Sequence, residues 1–145
     1  MAMSWHTMME FEPPLVGCVI GSGGLTFGTL RSAKECVINI PTVEMAAKVV
    51  GCGNYSGRDV DKFKKFRLAV SPASVVNAPL LDECFASLEC RLVDGGMADQ
   101  YNFFVLKVVT AWVDTSVKNP KTIHHRGRGS FMVAGRTIHL PSNAK

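Results

Sequence analysis

Apolar positions in this chain come in short blocks punctuated by glycine, proline and polar clusters. Most blocks carry the unbroken or two-residue pattern of strands rather than the helical step. The block LVGCVI (15–20) follows Pro13-Pro14 and stops at the GSGG run, which predicts a buried strand. ECVINI (35–40) is β-branched and ends at Pro41, giving a second strand. SLECRLV (87–93) alternates, with Leu88, Cys90 and Leu92 on one face and Glu89 and Arg91 on the other. That is the pattern of a half-buried antiparallel strand whose polar face meets water. NFFVLKVVTAWV (102–113) is apolar on both faces and long enough to bend through a barrel wall. The DGGMADQ segment between these two predicts a hairpin with a Gly-Gly turn. SFMVAGRTIHL (130–140) predicts a terminal hairpin turning at Ala134-Gly135.

Two segments read as helices. TFGTLRSA (26–33) predicts a short one, weakened by Gly28. Thr42 stands where an N-cap would start VEMAAKVV, a helix expected to stop at Gly51. No repeat, low-complexity tract or linker interrupts the pattern, so residues 1–145 are expected to form a single domain. Five or more antiparallel strands with two or three short helices predict a small, mainly β barrel, in which closure would remove exposed edges.

Composition narrows the classes. Hydrophobic residues make up 47% and charged residues 19% of the 145 positions, which excludes a disordered chain. The net charge of +4 suits an anionic ligand and is too small to argue for nucleic acid. The five cysteines (Cys18, Cys36, Cys52, Cys84, Cys90) show neither CxxC spacing nor an even count. They read as reduced thiols of a cytoplasmic protein rather than as disulfides or zinc ligands. The N-terminus lacks the basic and apolar regions of a signal peptide. No apolar run reaches the ~20 residues of a membrane span, so a soluble protein is expected.

The candidate chemistry concentrates in CGNYSGRDVDKFKKF (52–66). Ser56 precedes Asp59 by three positions, as in a capping box, and predicts a helix from Gly57. Such a helix would set Arg58, Lys62 and Lys65 on one face, with Val60 and Phe63 turned to the core. A helix N-terminus behind a glycine turn, with a guanidinium and an ammonium one turn apart, is a phosphate site; the alternative is a solvated charged face. Neither common nucleotide loop, GxxxxGK[ST] or GxGxxG, is present. In MSWHTMMEFEPP, Trp5 between Ser4 and Thr7 suits a flat aromatic ligand, with plain packing as the alternative. His124, His125, Arg126 and Arg128 read as an exposed loop; no third ligand type stands at metal spacing, so no metal is expected. The basic residues have few aromatic neighbours, which argues against single-stranded nucleic acid. No Ser-His-Asp or Cys-His arrangement can be assembled.

The ordered set MSWHTMMEFEPPLVGCVI, ECVINIPT, CGNYSGRDVDKF, CFASLECRLVD, YNFFVLKVVTAWVD and HHRGRGSFMVAG resembles the flavin reductase-like, FMN-binding split-barrel family, which includes flavoredoxin and the archaeal ferric reductases. The resemblance runs from Met3 to Gly135, and SGRDVDKF is its most specific block. It implies an antiparallel, Greek-key-like split β-barrel of six strands. It also implies a homodimer with FMN near the interface and electron transfer from NAD(P)H through flavin to free flavin, ferric complexes or a partner protein. By this resemblance Trp5 matches the tryptophan beside the flavin, with Ser4 and Thr7 in the same loop. Thr26 matches the hydroxyl that faces the phosphate, although GSGGLTF departs from the family's charged loop. Ser56, Gly57, Arg58 and Lys62 match the central block, with Lys62 at the phosphate end, and Phe131 matches a late aromatic near the ring. Where many members carry a histidine before the long strand, this chain has Tyr101 or Asn102, and the resemblance implies Asn102 as a cofactor-binding position. The family has further residues ahead of the Ser-Trp pair, so the resemblance implies a barrel lacking its opening strands.

No side chain is expected to act as acid, base or nucleophile, because the flavin carries the redox chemistry. Two other readings fit the same residues. One is a flavin-binding electron carrier without NAD(P)H activity; the other is a non-catalytic interaction module.

Overall fold

The structure is a computed structural model that describes residues 1–141. Four of the apolar blocks become strands β2 (Pro14–Val19), β3 (Glu35–Ile40), β6 (Ala86–Asp94) and β7 (Phe103–Val113), and β1 (His6–Phe11), not expected from the pattern, pairs with β2. They form one antiparallel sheet in the order β1-β2-β7-β6-β3. Two hairpins stand apart from it, β4 (Val70–Ser71) with β5 (Leu80–Leu81), and β8 (Ile123–Gly127) with β9 (Ser130–Val133). The result is a mainly β split barrel. Its closure is incomplete among the described residues, because β1 is an edge strand with all six residues exposed.

The core lies on one face of the sheet. Val16, Cys18 and Ile20 from the β2 segment, Cys90 from β6, and Phe104 and Leu106 from β7 are buried there. Helices α1 (Leu25–Ala33) and α4 (Ala98–Tyr101) cover them with Leu30 and Ala98. The Phe27 ring meets Phe104 edge-on at 5.3 Å, the favoured aromatic geometry.

The opposite face is covered too, and this corrects the expected orientation of Glu89. Its carboxylate is fully buried under residues 72–81, which cross the outer side of β3 and β6. Three strand side chains hold that crossing segment. Glu89 accepts from the backbone N–H groups of Ser74, Val75 and Val76, from the Ser74 hydroxyl, and from the Trp112 indole N–H at 2.8 Å. Glu35 accepts from the backbone and side-chain N–H groups of Asn77, and Asn39 accepts from the Leu81 N–H at 3.0 Å. A buried carboxylate is tolerable only when its lone pairs are filled, and here five donors fill them.

Several local expectations shift for stated reasons. Helix α2 (Ala46–Asn54) runs through Gly51, which is not a stop. A Cβ at Gly51 would lie 2.4 Å from the Phe66 ring, so the glycine marks a close approach of two elements. Thr42 makes no side-chain cap; it is extended, bridges to Thr122, and a single 3-10 turn (Val43–Met45) precedes the helix. The β6–β7 connection is a hairpin carrying α4, not a bare Gly-Gly turn. The last hairpin turns at Arg128-Gly129, where φ is +48° and +74°, rather than at Ala134-Gly135. Glycine takes that left-handed conformation without a Cβ penalty.

Candidate functional site

The phosphate-like block folds differently from its pattern. Helix α3 (Lys62–Lys65) begins at Lys62, not Gly57, because Asp61 is the better cap. Its carboxylate accepts from the N–H groups of Phe63 and Lys64. Ser56 instead accepts from the Arg58 N–H at 3.1 Å, forming a tight turn ahead of the helix. Arg58 therefore sits in that turn, not on a helical stripe with Lys62 and Lys65. Phe63, expected in the core, is exposed.

The turn lies against the glycine-rich loop that opens α1. The Arg58 guanidinium donates to the Gly23 carbonyl at 3.1 Å, and a Cβ on Gly57 would stand 3.2 Å from Leu25. Thr26 occupies the first turn of α1, whose N-cap Gly24 supplies no side-chain acceptor. The first turn of this nine-residue helix, with its free N–H groups, thus carries the Thr26 hydroxyl and lies beside the Arg58 guanidinium, while the Ser56 hydroxyl is engaged within the Arg58 turn. Lys62 donates to the Cys52 carbonyl at 2.6 Å and is half-buried. The Met1 amine lies alongside; burial first, and then the Lys62 ammonium, lowers its pKa.

From there the first residues lead to a second group. Trp5 is 71% exposed, and its carbonyl accepts from the Val19 N–H at 3.0 Å. Ser4, Trp5, His6, Thr7, Gly17, Val19 and Phe103 line an open cavity of about 380 Å³. The Thr7 hydroxyl donates to the Met8 carbonyl at 3.1 Å. Ser4 Oγ hydrogen-bonds His125 Nδ1 at 2.9 Å, and the His125 ring stacks obliquely on Phe131 at 5.1 Å. Phe131 thus reaches the Trp5 region through His125.

Asn102 joins the two groups. It is left-handed (φ +57°), its carbonyl accepts from the Ile20 N–H, and its Oδ1 accepts from the Ser22 N–H at 3.1 Å. Its side-chain oxygen thereby holds the glycine loop.

The structure therefore gathers Thr26, Ser56, Gly57 and Arg58 with the glycine loop, and Ser4, Trp5 and Thr7 around the cavity, with Lys62 next to the first residues. Sequence reasoning missed His125, Phe103 and Gly17. The one signal for Gly17 was a glycine inside a β-strand pattern, which marks a close approach; a Cβ there would be 2.3 Å from the Phe103 ring. His125 could be found only through the fold, since its partner Ser4 is 121 positions away. Among the described residues, no group of three metal-ligating side chains converges, and no helix is long and apolar enough to cross a membrane.

Comparison with known proteins agrees with this architecture. The model of the flavin reductase like domain matches residues 1–131. An uncharacterized protein of Escherichia coli (strain K12), YddH, is 32% identical over 150 residues, covering 95% of this chain and 79% of the relative. An uncharacterized protein of Archaeoglobus fulgidus is 30% identical over 109 residues, covering 75% of this chain; the match spans 62% of the archaeal protein's length. Among solved structures, an FMN-binding domain of a flavin reductases-like enzyme from Shewanella baltica superposes with a TM-score of 0.88 at 24% identity, covering 94% of this chain and 79% of that one. Flavoredoxin of Desulfovibrio vulgaris gives 0.86 at 21% identity, covering 99% and 82%. These two share the fold. The family match covers most of the chain, and the chain belongs to the flavin reductase-like domain family.

Proposed function

We propose that residues 1–145 act as one FMN-binding oxidoreductase domain that passes electrons from NAD(P)H through flavin to free flavin, a ferric complex or a partner protein. The observation that carries this reading is the docking of the Arg58 turn on the uncapped N-terminus of α1, which bears Thr26, together with a separate cavity walled by Trp5. That donor set suits a phosphate monoester, and the apolar wall suits a flat ring. The FMN-binding domain from Shewanella baltica, which shares the fold, supports the same cofactor.

Thr26, Ser56, Arg58 and Lys62 would hold the phosphate, with Gly57 allowing the turn to approach α1. Trp5, flanked by Ser4 and Thr7, would hold the ring, and Phe131 would bound it through His125. Asn102 would keep the glycine loop in place. Bound FMN would supply the hydride and electron chemistry, so the protein's part is to bind, orient and leave one ring face open to a nicotinamide. The exposed apolar residues of β1 support a homodimer. The five free thiols support a cytoplasmic location.

The test is a titration of the purified protein with FMN, read by flavin fluorescence and by the visible spectrum after desalting, followed by NADH and NADPH oxidation. Saturable binding with NAD(P)H turnover is expected. Binding without turnover would make the protein an electron carrier. An unchanged flavin signal at high protein concentration would overturn the reading.

A further inference from the structure

Three thiols share the core, and the redox reading above uses none of them. Cys18 and Cys90 are fully buried, and Cys36 is half-buried. Strand register sets Cys36 directly opposite Cys90 across the β3–β6 pair. Residues directly opposed on antiparallel strands stand ~4.5–5.5 Å apart at Cα, inside the ~4.4–6.8 Å window of a disulfide. Both side chains turn to the same core face, since Cys36 packs against the cluster that contains Cys90. Cys18 enters that core from β2, which is separated from β6 by β7, so it has no such registered partner.

We propose that Cys36 and Cys90 are a reversible redox pair, in which peroxide oxidises Cys36 and Cys90 closes a disulfide between β3 and β6.

The roles follow from exposure. Cys36 is the thiol of the pair that solvent can reach; Cys90 has no accessible surface. The Cys90 Sγ–H donates to the Leu88 carbonyl at 3.4 Å, and the neighbouring Cys90 thiol lowers the Cys36 pKa against the opposing pull of burial. The neighbouring Cys36, and then burial, pushes Cys90 upward, so Cys36 is the more readily deprotonated thiol of the two. Cys36 thiolate attacks one oxygen of hydrogen peroxide, giving the sulfenic acid and hydroxide. Cys90 sulfur then attacks the Cys36 sulfur, and its proton leaves with the hydroxyl as water. Two thiols lose two electrons, and one peroxide becomes two waters. Cross-linking would fix the edge strand β3 to its neighbour.

The intact protein would be treated with hydrogen peroxide, unfolded in acid and alkylated. Of its five cysteines, three should then take label, and peptide mapping should recover the fragments of Cys36 and Cys90 joined. Dithiothreitol should restore all five. In Cys36→Ser, a half-buried and near-isosteric change, the four remaining thiols should label equally before and after peroxide. Five labelled thiols in the treated wild type would overturn the proposal. So would a Cys18–Cys36 link, or Cys36 stopping at the sulfinic acid. None of these readouts depends on flavin binding, so the pair and the cofactor assignment fail separately.

Discussion

At the scale of the residue, Lys62 and Glu89 show how one charge is kept available and another is consumed. Lys62 has one donor on the Cys52 carbonyl and two ammonium protons uncommitted by that bond. Lys62→Ala should weaken FMN binding by ~1–3 kcal/mol, or roughly 5- to 150-fold in Kd, the range for a hydrogen bond to a charged group. Direct fluorescence titration checks it, and wild-type affinity would remove Lys62 from the site. Glu89 is the contrary case. Burial by itself would raise its pKa, but the Trp112 indole and the Ser74 and Val75 donors outweigh it and hold the carboxyl at about 2. A free glutamate titrates near ~4.3, so the unfolded chain takes up the proton first as pH falls. This stabilisation is complete above ~4.3 and disappears as pH falls through about 2. Urea midpoints should therefore decline across that window. In Glu89→Gln they should start lower, because an amide NH₂ would face N–H donors, and this part of the decline should vanish.

At the scale of the element, α2 and α3 are joined by a glycine and a ring. Phe66 follows α3, lies 6.0 Å from the Tyr55 ring, and closes on Gly51 of α2. Alanine at position 51 would gain ~1 kcal/mol in helix propensity. Its Cβ would meet a ring already held on its other side, and overpacking of that kind costs ~1–3 kcal/mol. Gly51→Ala is thus expected to lower stability on balance, by up to about 2 kcal/mol in a denaturant melt. A stabilised variant would show that Phe66 swings aside freely. Capping also explains why pattern reading misplaced α3. A serine three residues before an aspartate looks like a cap, but Asp61 is nearer and its carboxylate takes two N–H groups.

At the scale of the whole molecule, β1 is the open edge of the sheet. Met8 is 64% and Phe11 91% exposed there, an unusual display for a lone edge strand. With a homodimer, Met8→Glu should shift light-scattering mass from dimer to monomer, whereas a surface change in a monomer costs within ~0.5 kcal/mol. A wild-type monomer, or an unshifted variant, would remove β1 from the interface. The outer face of β3 and β6 makes a matching point about coverage. Segment 72–81 covers it through Glu35, Asn39 and Glu89, so Ser87 and Glu89 are buried on that face while β1 stays exposed.

The positions of β2, β3, β6 and β7 followed from the sequence alone, because short apolar blocks between glycine and proline punctuation encode extended backbone locally, whereas β1, β4, β5 and β8 did not. The likeness of SWHT and SGRDVDKF to flavin-binding relatives was legible for the same reason, since a motif is contiguous. Only the tertiary structure decided that Glu89 is buried, that Gly51 is a contact rather than a stop, and that Ser4 meets His125. Each of those depends on a partner far along the chain, such as Ser74, Phe66 or a hairpin 121 positions away. Alternation tells which residues share a face of a strand, but it does not say whether water or another segment lies on that face.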